Sequence, residues 1–297
     1  MLLTNGQLSR LCFEGKPNAN GEVRELAAAE KAAAKVLQRL WEGGWLERRP
    51  VILTSKRTGG AYHHFVNVLS PAGAAVVEQL YRERGRGELR WKRPGVEVSN
   101  QTIEHTLAIN DVYVLVKRAS EHAGVKFFSW KDDRQLAAMR RTKQLQLISI
   151  PDAFFVLAGD GRAFGHFLEI DLGTESVAGE RSTRIWREKI EGYARYLRER
   201  YEDEDYFEGV AAPIVLTVTT SPRRLEHMLQ VTREIGGSDR FWYTTIDALT
   251  PERIVPREEG KAVAVFDPRT FWRPIWHVTA DPAPSSLLTR LAGETLR

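Results

Sequence analysis

The stretch 150–193 constrains this chain more than any other. It reads Pro151-Asp152-Ala153-Phe154-Phe155-Val156, then the turn Gly159-Asp160-Gly161, then 164–168, then Glu169-Ile170-Asp171. Two runs of β-branched and aromatic residues around a Gly-Asp-Gly turn predict a β-hairpin. Side chains alternate along a strand, so Glu169 and Asp171 share one face. The turn folds the first strand back and brings Asp152 near that pair. Three crowded carboxylates repel unless a cation or a proton joins them. Hard oxygen donors at one place suit Mg²⁺ or Mn²⁺. Solvated strand ends are the competing reading of the same residues. Downstream, 183–200 predicts an amphipathic helix with Ile185, Trp186, Ile190, Tyr193 and Leu197 on its core side. Lys189 lies four residues before Tyr193 and points the same way.

The chain has 297 residues, enough for two domains with separate cores. No apolar run reaches the roughly 18 residues of a membrane span, and no signal peptide is evident at the start. Cys12 is the single cysteine, which excludes internal disulfides and cysteine-based zinc clusters and fits a reducing cytoplasm. Charge is uneven. Residues 1–92 hold 15 Lys/Arg against 9 Asp/Glu, and the remainder 28 against 30. A basic first third on a near-neutral remainder suggests contact with a polyanion.

Within 1–92 the pattern predicts a short helix over 4–11, a long helical stretch over 22–41 broken near 27–29, and a stop at Gly43-Gly44. Val36, Leu37, Leu40 and Trp41 read as its apolar stripe. A hairpin follows, its tip Lys56-Arg57-Thr58-Gly59-Gly60 basic and glycine-containing. A last helix over 71–83 faces inward through Ala74, Val77, Leu80 and Tyr81. Helices followed by a hairpin with a basic tip resemble a winged helix-turn-helix, which sets one helix in the major groove and the wing on the backbone. Candidate DNA contacts are Lys31, Lys35 and Arg39, at i, i+4 and i+8, with Lys56 and Arg57 in the wing. A solvated helix face is the plain alternative for the first three.

Gly- and Arg-rich residues 84–98 mark a linker, which gives domains 1–92 and 93–297. In the second, 99–119 predicts a helix carrying His105 and Asp111. Asp111 needs a partner if buried, and His105 titrates near neutral pH. A mobile loop or helix over 131–149, with Arg134, Arg140, Arg141 and Lys143, could hold phosphate. Strands over 213–219 and 241–246 enclose a helix over 223–235. This order predicts a mixed sheet flanked by helices.

Pro-Asp, a hairpin, then Glu-x-Asp resembles the PD-(D/E)xK nuclease signature. That signature has Lys where this chain has Asp171, and Lys189 on the next helix would supply the displaced cation. The longer pattern resembles the replication-relaxation family, whose proteins are similar to MobC-type plasmid relaxases. It comprises His105-Thr106-Leu107-Ala108-Ile109-Asn110-Asp111-Val112, Pro151-Asp152-Ala153, Glu169-Ile170-Asp171-Leu172-Gly173-Thr174-Glu175, and Lys189 with Tyr193. The resemblance covers most of the chain and implies an α/β (α+β) protein with an N-terminal winged helix and a restriction-endonuclease-like core. It implies a metal-dependent DNA endonuclease or nickase acting on double-stranded DNA at a plasmid or mobile-element origin. Asp152, Glu169 and Asp171 would hold Mg²⁺ or Mn²⁺, Lys189 would stabilise developing charge, and His105 and Asp111 would complete the pocket. A tyrosine nucleophile stays open, with Tyr193 the nearest candidate, and so does a homodimer or a mobilisation-complex partner. The competing function is a non-catalytic DNA-binding accessory or regulator that keeps a nuclease-like scaffold.

Overall fold

Residues 153–159 are apolar throughout, and 153–157 and 164–170 are buried at every position, as strands covered on both faces are. They form β4 (Ala153–Gly159) and β5 (Arg162–Asp171), joined by Asp160-Gly161. Both turn residues have positive φ, 49° and 76°, the backbone that a two-residue type I′ hairpin demands and that Asp-Gly supplies. This hairpin lies inside a six-stranded mixed sheet of order β10-β7-β6-β5-β4-β3. The computed structural model describes residues 3–15, 25–54, 60–85, 99–147, 149–173, 180–201, 209–237, 239–256, 262–279, 281 and 283–291.

The chain divides into two compact units. One comprises Met1–Val114 with Glu252–Phe266, the other Leu115–Pro251 with Asp267–Arg297. The expected linker boundary at 92/93 lies outside the described residues.

The first unit begins with α1 (Asn5–Cys12), opened by a capping box between Thr4 and Gln7. Then come α2 (Leu26–Glu42), the antiparallel pair β1 (Leu46–Thr54) and β2 (Ala61–Leu69), and α3 (Pro71–Glu83). This is the order of helices and hairpin that the sequence predicts. The packing differs. α2 runs without a break and buries Leu26, Ala29, Ala33 and Leu37. Val36, Leu40 and Trp41 are exposed. Small residues at three- and four-residue spacing let α2 approach its neighbours closely, and the larger stripe one step around the helix is left outside. In α3, Ala74 is buried and Leu80 exposed. Its first turn presses on the chain at Trp45: a Cβ at Gly73 would stand 2.1 Å from the Trp45 carbonyl oxygen. The wing tip, with Lys56 and Arg57, lies outside the described residues. The pair β8 (Glu252–Pro256) and β9 (Ala262–Phe266) completes this unit.

Helix α4 (Asn100–Ala123) runs from the first unit into the second. There it leads to β3 (Lys126–Asp132) and α5 (Asp133–Arg141). α5 is an ordered helix opened by a capping box between Asp132 and Gln135, over part of the segment expected to be loop or helix. The hairpin β4–β5 follows, then α6 (Glu180–Glu199), β6 (Val210–Thr219), α7 (Pro222–Glu234), β7 (Phe241–Thr245) and α8 (Ile246–Leu249). A 3-10 turn (Pro268–Trp272), β10 (His277–Val278) and α9 (Leu287–Leu291) end the described chain. β5, β6 and β7 are parallel, and β3 and β4 antiparallel. One sheet face carries Phe154, Val156, Phe167, Val215, Phe241 and Tyr243. It packs on Leu136 of α5, Ile190, Tyr193, Tyr196 and Leu197 of α6, and Leu225, Met228 and Leu229 of α7. A mixed sheet flanked by helices is the expected fold. Among the described residues, no helix is long and apolar enough to cross a membrane.

Candidate nuclease-like site

The apolar face just described turns polar toward the carboxyl end of β5. Register pairs Glu169 with Thr217 and Asp171 with Thr219, and Thr217 in turn with Tyr243. Ala153 pairs with Leu168, which sets Asp152, one residue before β4, beside Glu169. A carboxylate row therefore crosses adjacent strands, as the hairpin pattern predicts.

Each carboxylate is held by a different device. Asp152 accepts the Ile170 N–H through Oδ2 at 2.7 Å, while its own N–H bonds the Leu168 carbonyl at 3.0 Å. Its side chain thus continues the ladder where β4 has not yet begun. Glu169 is buried, at 2% exposure. Lys189 pairs with its Oε2, and the Tyr193 hydroxyl donates to Oε1 at 2.5 Å. Lys189 and Tyr193 lie four residues apart on α6, so one face of that helix delivers both. Asp171 is gripped by Arg224 of α7, Nε pairing with Oδ2 and Nη2 donating to Oδ1 at 2.6 Å. Thr219 Oγ1 also donates to Oδ2 at 2.6 Å. Gly173 follows at φ +70°, a backbone region that favours glycine, and turns its N–H toward Asp171 Oδ1.

The electrostatics follow from burial. Burial pushes the Glu169 carboxyl up. Lys189 pulls it back, Asp152 pushes it further up, and it settles at about 7. Burial lowers the Lys189 ammonium, but Glu169, with Asp152 and Asp171 behind it, holds it above its ordinary value. Glu169 contributes most to that rise, so the two titrate together. Tyr193 is held well above its ordinary value by burial and by Glu169. The Tyr193 hydroxyl is buried and its proton is engaged by Glu169 Oε1. Tyr193 is a support of the site.

Asp152, Glu169, Asp171 and Lys189 therefore come together. His105 and Asp111 belong to the first unit. There Gln7 Nε2 donates to Asp111 Oδ1 at 2.8 Å and to the Leu107 carbonyl at 2.9 Å. Asp111 also lines a cavity of about 540 Å³ with Glu30, His64 and Glu104. Lys31, Lys35 and Arg39 are exposed on α2. Glu175 lies outside the described residues. Sequence reasoning missed Arg224 and Thr219. One signal was available: an Asp where the signature has Lys leaves a charge that some distant cation must balance.

Among the described residues, no group of three or more His, Cys, Asp or Glu stands as a ready metal centre. The donor set still fits one hard divalent ion. Asp152 and Glu169 offer carboxylates from adjacent strands. Beside Glu169, the Thr217 hydroxyl is fully buried and has no hydrogen-bond partner among the described residues, an unspent hard oxygen.

The replication-relaxation family model matches residues 1–210. The chain belongs to the replication-relaxation family. A search of curated proteins finds no match. Among solved structures, this family member is similar at a distance to restriction endonuclease FokI. With FokI bound to DNA the identity is 9% and the TM-score 0.20, over 84% of this chain and 65% of FokI. With FokI in a second structure they are 10% and 0.22, over 82% and 65%. The chain thus spans just under two thirds of FokI, and likeness this remote bears on neither activity nor substrate.

Proposed function

We propose that this replication-relaxation protein is a DNA-binding, metal-dependent endonuclease or nickase that processes plasmid or mobile-element DNA. The convergence of Asp152, Glu169 and Lys189 at one end of the sheet carries the reading. Asp152 and Glu169 would hold Mg²⁺ or Mn²⁺. The ion, when bound, would polarise a scissile phosphate and acidify an attacking water. Lys189 would lie beside the phosphate and stabilise the negative charge that grows on it. Tyr193 fixes the Glu169 carboxylate, and Asp152 is fixed by the Ile170 N–H. In this reading residues 1–92 find duplex DNA through Lys31, Lys35 and Arg39, with Lys56 and Arg57 on its backbone.

One observation favours the other reading, a non-catalytic DNA-binding regulator. Glu169 and Asp171 are each neutralised by a cation of this chain, Lys189 and Arg224. Supercoiled plasmid incubated with the protein and Mn²⁺ separates the two. The nickase yields relaxed circles that vanish with Glu169→Ala. Tight DNA binding without cleavage in any divalent ion supports the regulator and ends the nickase proposal.

A further inference from the structure

Asp171 occupies the position at which the nuclease signature carries a cation. An aspartate there would repel a phosphate if it stood alone. It does not stand alone. Arg224 approaches it with two parallel contacts, Nε to Oδ2 and Nη2 to Oδ1, the geometry in which guanidinium and carboxylate lock each other's orientation. Thr219 Oγ1 and the Gly173 N–H fix the carboxylate from other sides. Asp171 is therefore a bracket, and what it brackets is an arginine.

The local fold explains how Arg224 gets there. α7 starts three residues after β6 ends, with Ser221 as N-cap and Pro222 at the first helical position. Its first turn therefore stands at the carboxyl end of the parallel strands, next to the Asp171–Thr219 pair. Arg224 lies in that turn, where helix N–H groups and dipole already favour an anion. The Arg224 side chain keeps 13% exposure and that of Lys189 26%. Asp171 also acts on Lys189, so both cations border one carboxylate row.

We propose that Arg224, presented by Asp171, is a second phosphate-contacting cation of the site, beside Lys189. Arg224 touches the DNA backbone, and Asp171 acts through it as a positioning residue. The inference rests on the nuclease-like reading of the site and names a further group in it.

The test uses the full chain, a short fluorescein-labelled duplex and Ca²⁺, with affinity measured across a salt series. Arg224→Gln lowers affinity about ten-fold and makes the salt slope shallower by about 0.9. Arg223→Gln, an exposed neighbour on the same helix, changes neither. Because Arg224→Gln leaves Asp171 unpaired and could unfold the unit, the paired variant Asp171→Asn with Arg224→Gln is decisive. It removes both charges of the pair and keeps the net charge of the protein. A phosphate contact predicts weaker binding in the paired variant too, by less than in Arg224→Gln because the repelling carboxylate goes with its partner. A merely structural ion pair predicts wild-type affinity and slope, and that result overturns the proposal. Nicking by the wild-type chain in Mn²⁺ tests the site reading separately. If the wild type nicks and the paired variant binds normally, only the Arg224 assignment falls. If the wild type never nicks, the nuclease reading falls, and weaker binding by the paired variant still establishes the contact.

Discussion

Glu169→Gln in metal-free buffer probes the balance of forces at the site. The wild-type carboxyl is buried and its value rises from 4.5 to about 7. A folded-state value above the unfolded one means that the folded chain holds a proton that the unfolded chain has released. The associated stability is fully present below about pH 4.5 and is lost as pH climbs through 7. A rise of that size corresponds to about 3 kcal/mol. Glutamine keeps the shape and cannot titrate. Urea unfolding of both proteins from pH 5 to 8, with EDTA present, reads the effect of Glu169 together with the coupled titration of Lys189 as a difference. Wild type should lose about 2 kcal/mol relative to Glu169→Gln over that range, the part of the effect that lies above pH 5. A flat difference would show that Glu169 titrates as an ordinary carboxylate. A difference of opposite sign would show that attraction to Lys189 outweighs burial and that the site is a settled ion pair.

Tyr193→Phe removes one hydrogen bond to a buried carboxylate without changing the packed ring, and should cost about 1.5–3 kcal/mol in urea unfolding. Gly73→Ala places a methyl group 2.1 Å from the Trp45 carbonyl oxygen and should destabilise the first unit by about 1–3 kcal/mol. Gly6→Ala, whose Cβ meets nothing nearer than 3.8 Å, should be neutral or stabilising by about 0.5–1 kcal/mol, both glycine variants being read by thermal melts against wild type. Replacing Lys56 and Arg57 by Gln should make the salt dependence of duplex binding shallower by about two units. An unchanged slope would remove the wing from the DNA interface.

The hairpin and its carboxylates were readable because their signals are local. Asp-Gly supplies the two positive φ angles of the turn, and period-two alternation puts Glu169 and Asp171 on one face. Lys189 and Tyr193 followed from helical spacing. Arg224 was not readable, because 53 residues separate it from its partner and only the parallel pairing of β5 with β6 brings α7 to Asp171. The stripe on α2 was misread for a different reason. Val36, Leu40 and Trp41 outweigh Ala29 and Ala33 in hydrophobicity, but close helix approach favours the small residues, and packing decided the buried face. Asp111 was expected to need a partner if buried; it is exposed, and Gln7 in the first helix of the chain donates to it.

Crystals soaked in Mn²⁺ and measured at the manganese absorption edge put the carboxylate row to the most immediate trial. One anomalous peak between Asp152 and Glu169, with Asp171 still clasped by Arg224, is the expected result. An empty site at saturating Mn²⁺, with Glu169 still locked to Lys189 and Tyr193, would contradict it.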